Sequence, residues 1–338
     1  MRTLIVAAVL VSTAVAAQPL ARLSGAGACR QDIVRLCSDS RGDRAAMRSC
    51  LIERRAELSA VCRDMLADRF ADRQGGARGD AAVLPAAQTI AYGRAPEQAV
   101  DVYGATAGGK RPIVLFIHGG GWAMGDRKRS VGAKASHLTD AGYVFASTGY
   151  RLVPDATVEE QAADIASAIA ALRKAAPGLG ADPDRIALVG HSAGAHLGAL
   201  VATDMAYLDA ARVPATAIRG VVLLDGAGYD VPRQMAARVG PLGEIYTNAF
   251  GTDPARQKRL SPTFQAGAPN AGAFLSGHVA SRDDSRAQAK ALADALTKGG
   301  TAAEVVSVEG THMTINRELG RPGDANTATV TAFLKRVL

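Results

Sequence analysis

The chain has 338 residues, 48% of them apolar and 21% charged, a balance that can bury a large core with a smaller unit beside it and that excludes a disordered chain. Its formal net charge of +7 is spread along the sequence instead of gathered in a basic run, so no nucleic-acid partner is expected. Aromatic residues make up only 4%, but 36 glycines among many alanines and valines suit closely packed sheets and helices.

Met1, Arg2 and Thr3 precede residues 4–17, LIVAAVLVSTAVAA, an apolar run that ends in small side chains, with Ala14 and Ala16 placed for cleavage. This is the pattern of a secretory signal peptide over residues 1–17, so the protein is expected to be periplasmic or secreted. Gln18 and Pro19 stop the run short of the ~20 apolar residues that a bilayer core demands, and no membrane span is expected.

The four cysteines, Cys29, Cys37, Cys50 and Cys62, all fall in the next short stretch. Between them Ile33, Val34 and Leu36, then Met47 and Leu51, then Leu58, Val61, Met65 and Leu66 recur at helical spacing, which predicts a module of three short helices over residues 28–70. Nested pairing, Cys29 with Cys62 and Cys37 with Cys50, would staple them together, as a core this small requires in an oxidising compartment. There is no CxxC pair and no histidine before residue 118, so no metal is expected there. The pattern CRQDIVRLC, MRSCLIERRAEL, VCRDML resembles the cysteine-rich repeat first known from a Golgi sialoglycoprotein. That resemblance implies no catalytic residue and leaves the module to contact an envelope or a protein partner. Residues 71–86, rich in Ala, Gly, Arg and Asp without apolar periodicity, read as a linker.

From residue 87 to 338 apolar β-type runs alternate with helical ones, which predicts an α/β domain with a mostly parallel sheet covered on both faces. Strands are expected at 99–103, 112–118, 143–148, 186–190, 220–224, 273–277 and 304–308, and helices at 130–141, 158–176, 193–203, 285–298 and 326–337. Residues 226–270, which include Tyr229, Tyr246, Phe250 and Phe264, exceed an ordinary connection and are expected to fold over the sheet as a cap.

Two motifs carry chemistry. Gly190-His191-Ser192-Ala193-Gly194 ends the run IALVG and opens a helical stretch, the context in which a Gly-x-Ser-x-Gly elbow throws a serine hydroxyl clear of the backbone. Upstream, His118-Gly119-Gly120-Gly121-Trp122 follows IVLFI, where glycines let backbone amides approach an oxyanion closely. The expected donors are Gly120, Gly121 and Ala193, with His118 and Trp122 holding the loop. A serine needs a base, and His312, after the last strand, gives the chain order serine, acid, histidine. His191 is read as the elbow's variable position and His196 as a core residue. For the acid, Ser285 and Gln288 read as a capping box that opens a helix and leaves Asp284 free to turn toward His312, ahead of Asp283 and of Asp225 after VVLL.

Residues 95–338 resemble the α/β-hydrolase superfamily, in its carboxylesterase and lipase branch with an HGGGW loop, related to BD-FAE-like esterases and to arylformamidases. The matching stretches are DVYGA, HGGGW, GYRLVPDA, DPDRIALVGHSAGAHLGAL and GTHMTINRELG, in that order. The resemblance implies a triad of Ser192, Asp284 and His312 acting on a small-molecule ester through an acyl-enzyme, with no metal or organic cofactor. The acid loop departs from the commoner Gly-x-x-Asp form. The competing readings are an amide or formamide hydrolase and a catalytically idle fold serving as a scaffold.

Overall fold

The computed structural model describes residues 32–40, 44–58, 86, 88–237, 241–267 and 269–338. The expected signal peptide, Cys29, Cys62 and nearly all of the expected linker lie outside the described residues. The chain divides into two units, Met1–Leu66 and Ala67–Leu338. In the first, a helical stretch at 32–36 leads into Cys37, which forms a disulfide with Cys50 on α1 (Arg44–Glu53). This is the inner half of the nested pairing. Around it Leu51 and Leu58 are buried, and Arg35 ties the unit by pairing with Asp32 and donating to the Glu57 carbonyl, each at 2.8 Å.

In the second unit the apolar runs form one sheet of eight strands among the described residues: β1 (Gln88–Ala91), β2 (Ala99–Tyr103), β3 (Arg111–Ile117), β4 (Val144–Thr148), β5 (Ala181–His191), β6 (Ile218–Leu224), β7 (Ala273–Val279) and β8 (Ala303–Val308). Their order is β1-β2-β4-β3-β5-β6-β7-β8, antiparallel from β1 to β4 and parallel beyond. All seven expected strands are present, β2 with the expected ends and the other six with one or both ends shifted. The additional one, β1, is a short and mostly exposed edge strand, so no buried apolar run announced it. On β3, Ile113, Leu115 and Ile117 enter one buried cluster while Val114 and Phe116 enter the other, which is why this strand is apolar at every turn of the pleat.

Helices cover both faces: α2 (Lys134–Asp140), α3 (Val158–Leu179), α4 (Ala193–Thr203), α5 (Met205–Ala210), α10 (Asp283–Lys298), α11 (Thr314–Arg317) and α12 (Ala325–Val337). A capping box of Thr157 and Glu160 starts α3, and Gly180 in the left-handed region ends it. The chain runs from β3 to β4 on one side and returns to β5 on the other, so β3 and β5 flank the point where strand order reverses. Their ends pair Ile117 with Gly190, which brings the HGGGW loop and the serine elbow side by side.

Among the described residues of 226–270 there are four short helices, α6 (Val231–Ala236), α7 (Pro241–Phe250), α8 (Pro254–Arg259) and α9 (Pro262–Gln265). Aspartates Asp230 and Asp253 cap α6 and α8, and prolines sit in the first turns of α6, α8 and α9. The segment packs through Tyr246 and Phe250, whose rings meet Trp122 edge-on at 5.4 and 4.7 Å. Arg256 clamps it to Glu159 of α3 with two bonds of 2.7 and 2.6 Å. His196 is buried beneath: its Nε2 donates to the Leu260 carbonyl at 2.8 Å, and its Nδ1 accepts from the Trp122 indole at 3.2 Å.

Two stability predictions follow from this packing. A Cβ on Gly194 would lie 2.2 Å from the Ile117 carbonyl oxygen, so Gly194→Ala is expected to cost about 3 kcal/mol. That cost lowers the melting temperature by about 6–12 °C, read by circular dichroism. Burial pushes the His196 imidazole down to about 4, so the folded chain refuses a proton that the unfolded chain takes up near pH 6.5. The stability is complete above about pH 7 and declines as pH falls from about 6.5 toward 4. The melting temperature should fall across that window, with a shallower slope in His196→Gln.

Candidate active site

Three loops at the carboxyl ends of the parallel strands meet at Ser192. The serine follows β5 directly and takes φ 55° and ψ −118°, a left-handed backbone held by its amide's bond to the Leu224 carbonyl at 3.0 Å and by the start of α4. Its hydroxyl is thereby aimed away from the helix. His312 lies beyond β8 in a tight turn, where Thr311 and Thr314 bond each other's amides through their hydroxyls. The turn brings His312 Nε2 to 3.0 Å from Ser192 Oγ.

The carboxylate against His312 belongs to Asp225, with its Oδ2 2.6 Å from Nδ1. This corrects the expectation for Asp284. Asp283 and Asp284 both lie in the first turn of α10; Asp284 pairs with Arg282 at 3.6 Å and Asp283 with Arg286 at 2.8 Å. The expected capping box is absent as well, because Arg282 precedes the helix without a side-chain cap. Ser285 instead donates its hydroxyl to Asp225 Oδ1 at 2.5 Å, and Gln288 bonds the amide and carbonyl of Asp230 at 2.7 and 3.0 Å. Both residues thus hold the loop after β6, and the pattern that suggested a cap marks the support of the acid.

Asp225 has no solvent exposure. Burial alone would raise its carboxyl, but the His312 hydrogen bond and the Arg282 charge outweigh burial and hold it well below the usual carboxylate range. It also accepts from the Val279 amide at 3.1 Å and forms an ion pair with Arg282, whose Nη1 stands 2.7 Å from His312 Nδ1. Arg282 carried no motif, and only its place in the loop after β7 could have singled it out.

On the other side of the serine, Gly120 and Gly121 have φ of 132° and 60°, and a Cβ on Gly120 would lie 2.0 Å from the Met124 carbonyl oxygen. Only glycine fits there. Among the described residues the Gly120 and Gly121 amides donate to no protein acceptor, while the Gly120 carbonyl receives the Met124 amide at 3.0 Å. Ala193 starts α4, where the first amides have no partner within the helix. His118 is buried and stacked on Tyr150 at 4.3 Å, and the Tyr150 hydroxyl donates to its carbonyl at 2.8 Å. Trp122, also left-handed at φ 62°, accepts through its carbonyl from the Val153 amide and from Gln161 Nε2. A hydroxyl, an imidazole and a buried carboxylate in series, beside unspent amide donors, suit acyl transfer. Among the described residues no cluster of three or more His, Cys, Asp or Glu could hold a metal.

Comparison with known proteins agrees. Residues 100–216 match the BD-FAE family model. A stretch of 114 residues is 35% identical to a probable isoprenylcysteine alpha-carbonyl methylesterase of Oryza sativa subsp. japonica, covering 33% of this chain and 26% of that protein. Another of 91 residues is 34% identical to carboxylesterase NlhH of Mycobacterium tuberculosis, covering 27% of this chain and 28% of that one. The chain therefore spans about a quarter of the length of the curated relatives it matches. The crystal structure of esterase B from Lactobacillus rhamnosis superposes with a TM-score of 0.63 at 22% identity, over 80% of this chain and 95% of that one, a likeness of fold. The sheet order, the elbow and the matched stretch agree: residues 100–216 are similar to the BD-FAE family, and the second unit has the fold of the esterase structure it superposes on.

Proposed function

We propose that the protein is an exported serine carboxylesterase in which Ser192, His312 and Asp225 form the catalytic triad. The observation that carries the reading is the unbroken series from Ser192 Oγ to His312 Nε2 at 3.0 Å and from His312 Nδ1 to Asp225 Oδ2 at 2.6 Å. Ser192 Oγ attacks the carbonyl carbon of a small-molecule ester while His312 Nε2 takes the hydroxyl proton. Asp225 keeps the other imidazole hydrogen on Nδ1 and stabilises the cation as it forms. The developing oxyanion is received by the amides of Gly120, Gly121 and Ala193, each donor of this kind being worth about 3 kcal/mol in the transition state. Collapse expels the alcohol, which leaves with the proton held by His312, and Ser192 retains the acyl group. His312 then draws a proton from water, the hydroxide oxygen attacks the acyl carbon, and the acid departs as the proton returns to Ser192. Export is supported by the Cys37–Cys50 disulfide, a bond that oxidising compartments maintain. An idle scaffold would have no use for an ionised acid, a base and a nucleophile kept in line.

Two experiments test the assignment. Fluorophosphonate labelling and peptide mapping should mark Ser192 in the wild type, and Ser192→Ala should lose both label and p-nitrophenyl acetate hydrolysis without change in fold; turnover retained by that variant rejects the nucleophile. Asp225→Asn should lower kcat by about 10⁴-fold, since the imidazole then loses its partner. Asp284→Asn removes a part-exposed charge paired with Arg282 at 3.6 Å and should change kcat by less than about fivefold. The reverse ranking would return the acid's role to Asp284.

A further inference from the structure

His191 takes no part in the sequence of steps above, yet it is 4% exposed and carries two polar ring atoms into the site. Its Nε2 lies 2.7 Å from the backbone carbonyl of His312, and the two rings stand 4.7 Å apart at 38°. A carbonyl only accepts, so Nε2 bears the hydrogen and donates it. The opposite edge of the ring faces the oxyanion loop, where a Cβ on Gly119 would come within 3.0 Å of Nδ1. His191 is also the last residue of β5, one position before the nucleophile. The bonds between Thr311 and Thr314 shape the His312 turn only locally, whereas the bond from His191 ties that turn to the strand carrying Ser192. Burial, reinforced by the neighbouring His312, pushes the His191 imidazole down to about 3. The ring therefore stays neutral when His312 takes up the serine proton, and no second cation opposes that step.

We propose that His191 is a positioning residue, whose Nε2–H bond to the His312 carbonyl sets the approach of the base to Ser192. The proposal rests on the esterase reading, but one of its tests does not depend on turnover. His191→Leu removes the donor, and His191→Gln returns one near the place of Nε2. The measurements are kcat and KM for p-nitrophenyl acetate, and the low-field proton nuclear magnetic resonance of His312 Nδ1–H, assigned by its loss in Asp225→Asn. His191→Leu is expected to lower kcat by about 100-fold, as a small displacement of a reacting group does, with little change in KM. It should also weaken the low-field resonance, and His191→Gln should restore most of both. Unchanged kcat and resonance in His191→Leu would overturn the proposal, as would a His191→Gln variant impaired as deeply as the leucine one. If His191→Leu does not fold, His191→Gln decides alone, by keeping or losing the resonance and the rate. A wild type that hydrolyses no ester would sink the esterase reading, while the resonance in the two variants would still decide the tether.

Discussion

An ionised carboxylate with no solvent exposure is costly unless every lone pair is answered, and Asp225 is answered from four places. His312 reaches it from the loop after β8, the Val279 amide from the end of β7, Ser285 from the first turns of α10, and Arg282 from the loop between them. Satisfying that one charge therefore fixes the relation of the last three strands' loops to one another. It also fixes the imidazole, because the oxygen that needs the Nδ1 hydrogen selects the tautomer whose bare Nε2 faces Ser192.

The same site concentrates backbone strain. Ser192, Asp225 and Trp122 are non-glycine residues with positive φ of 55°, 44° and 62°. Such conformations cost on the order of 1–3 kcal/mol each and persist only where the surroundings over-determine them. Here the Ser192 amide is held by the Leu224 carbonyl and the Asp225 amide by the Gly277 carbonyl, so each elbow continues the hydrogen-bonding of the sheet beneath it. Trp122 is held by packing, between His196 below and Tyr246 and Phe250 of the cap. This segment thus bears on the HGGGW loop through one indole, which couples the fold of residues 226–270 to the backbone of Gly120 and Gly121.

Much of this was legible in the sequence because it depends on local patterns. The parallel strands are buried on both faces and read as apolar runs, and the elbow and HGGGW loop each need glycines at fixed positions where a Cβ would strike backbone. The order of motifs placed His312 as the base, and it does face Ser192. What the sequence hid is set by tertiary contact. Ser285 and Gln288 have the spacing of a cap, but their side chains turn back to Asp225 and Asp230, so the local rule pointed away from the aspartate that faces His312. Asp225 itself lay in view at the end of VVLL; its importance follows from which strand neighbours which, and a linear pattern does not contain strand order. His191 was passed over for a similar reason, since its partner stands 121 positions away.

The most direct test of the account is intact-mass and peptide analysis of the enzyme quenched during turnover of a hindered ester such as p-nitrophenyl trimethylacetate, chosen so that the acyl group is removed slowly. The account predicts a burst of p-nitrophenol and a mass increase of one acyl group on the peptide containing Ser192. Steady hydrolysis with no adduct, or an adduct on any other residue, would contradict it.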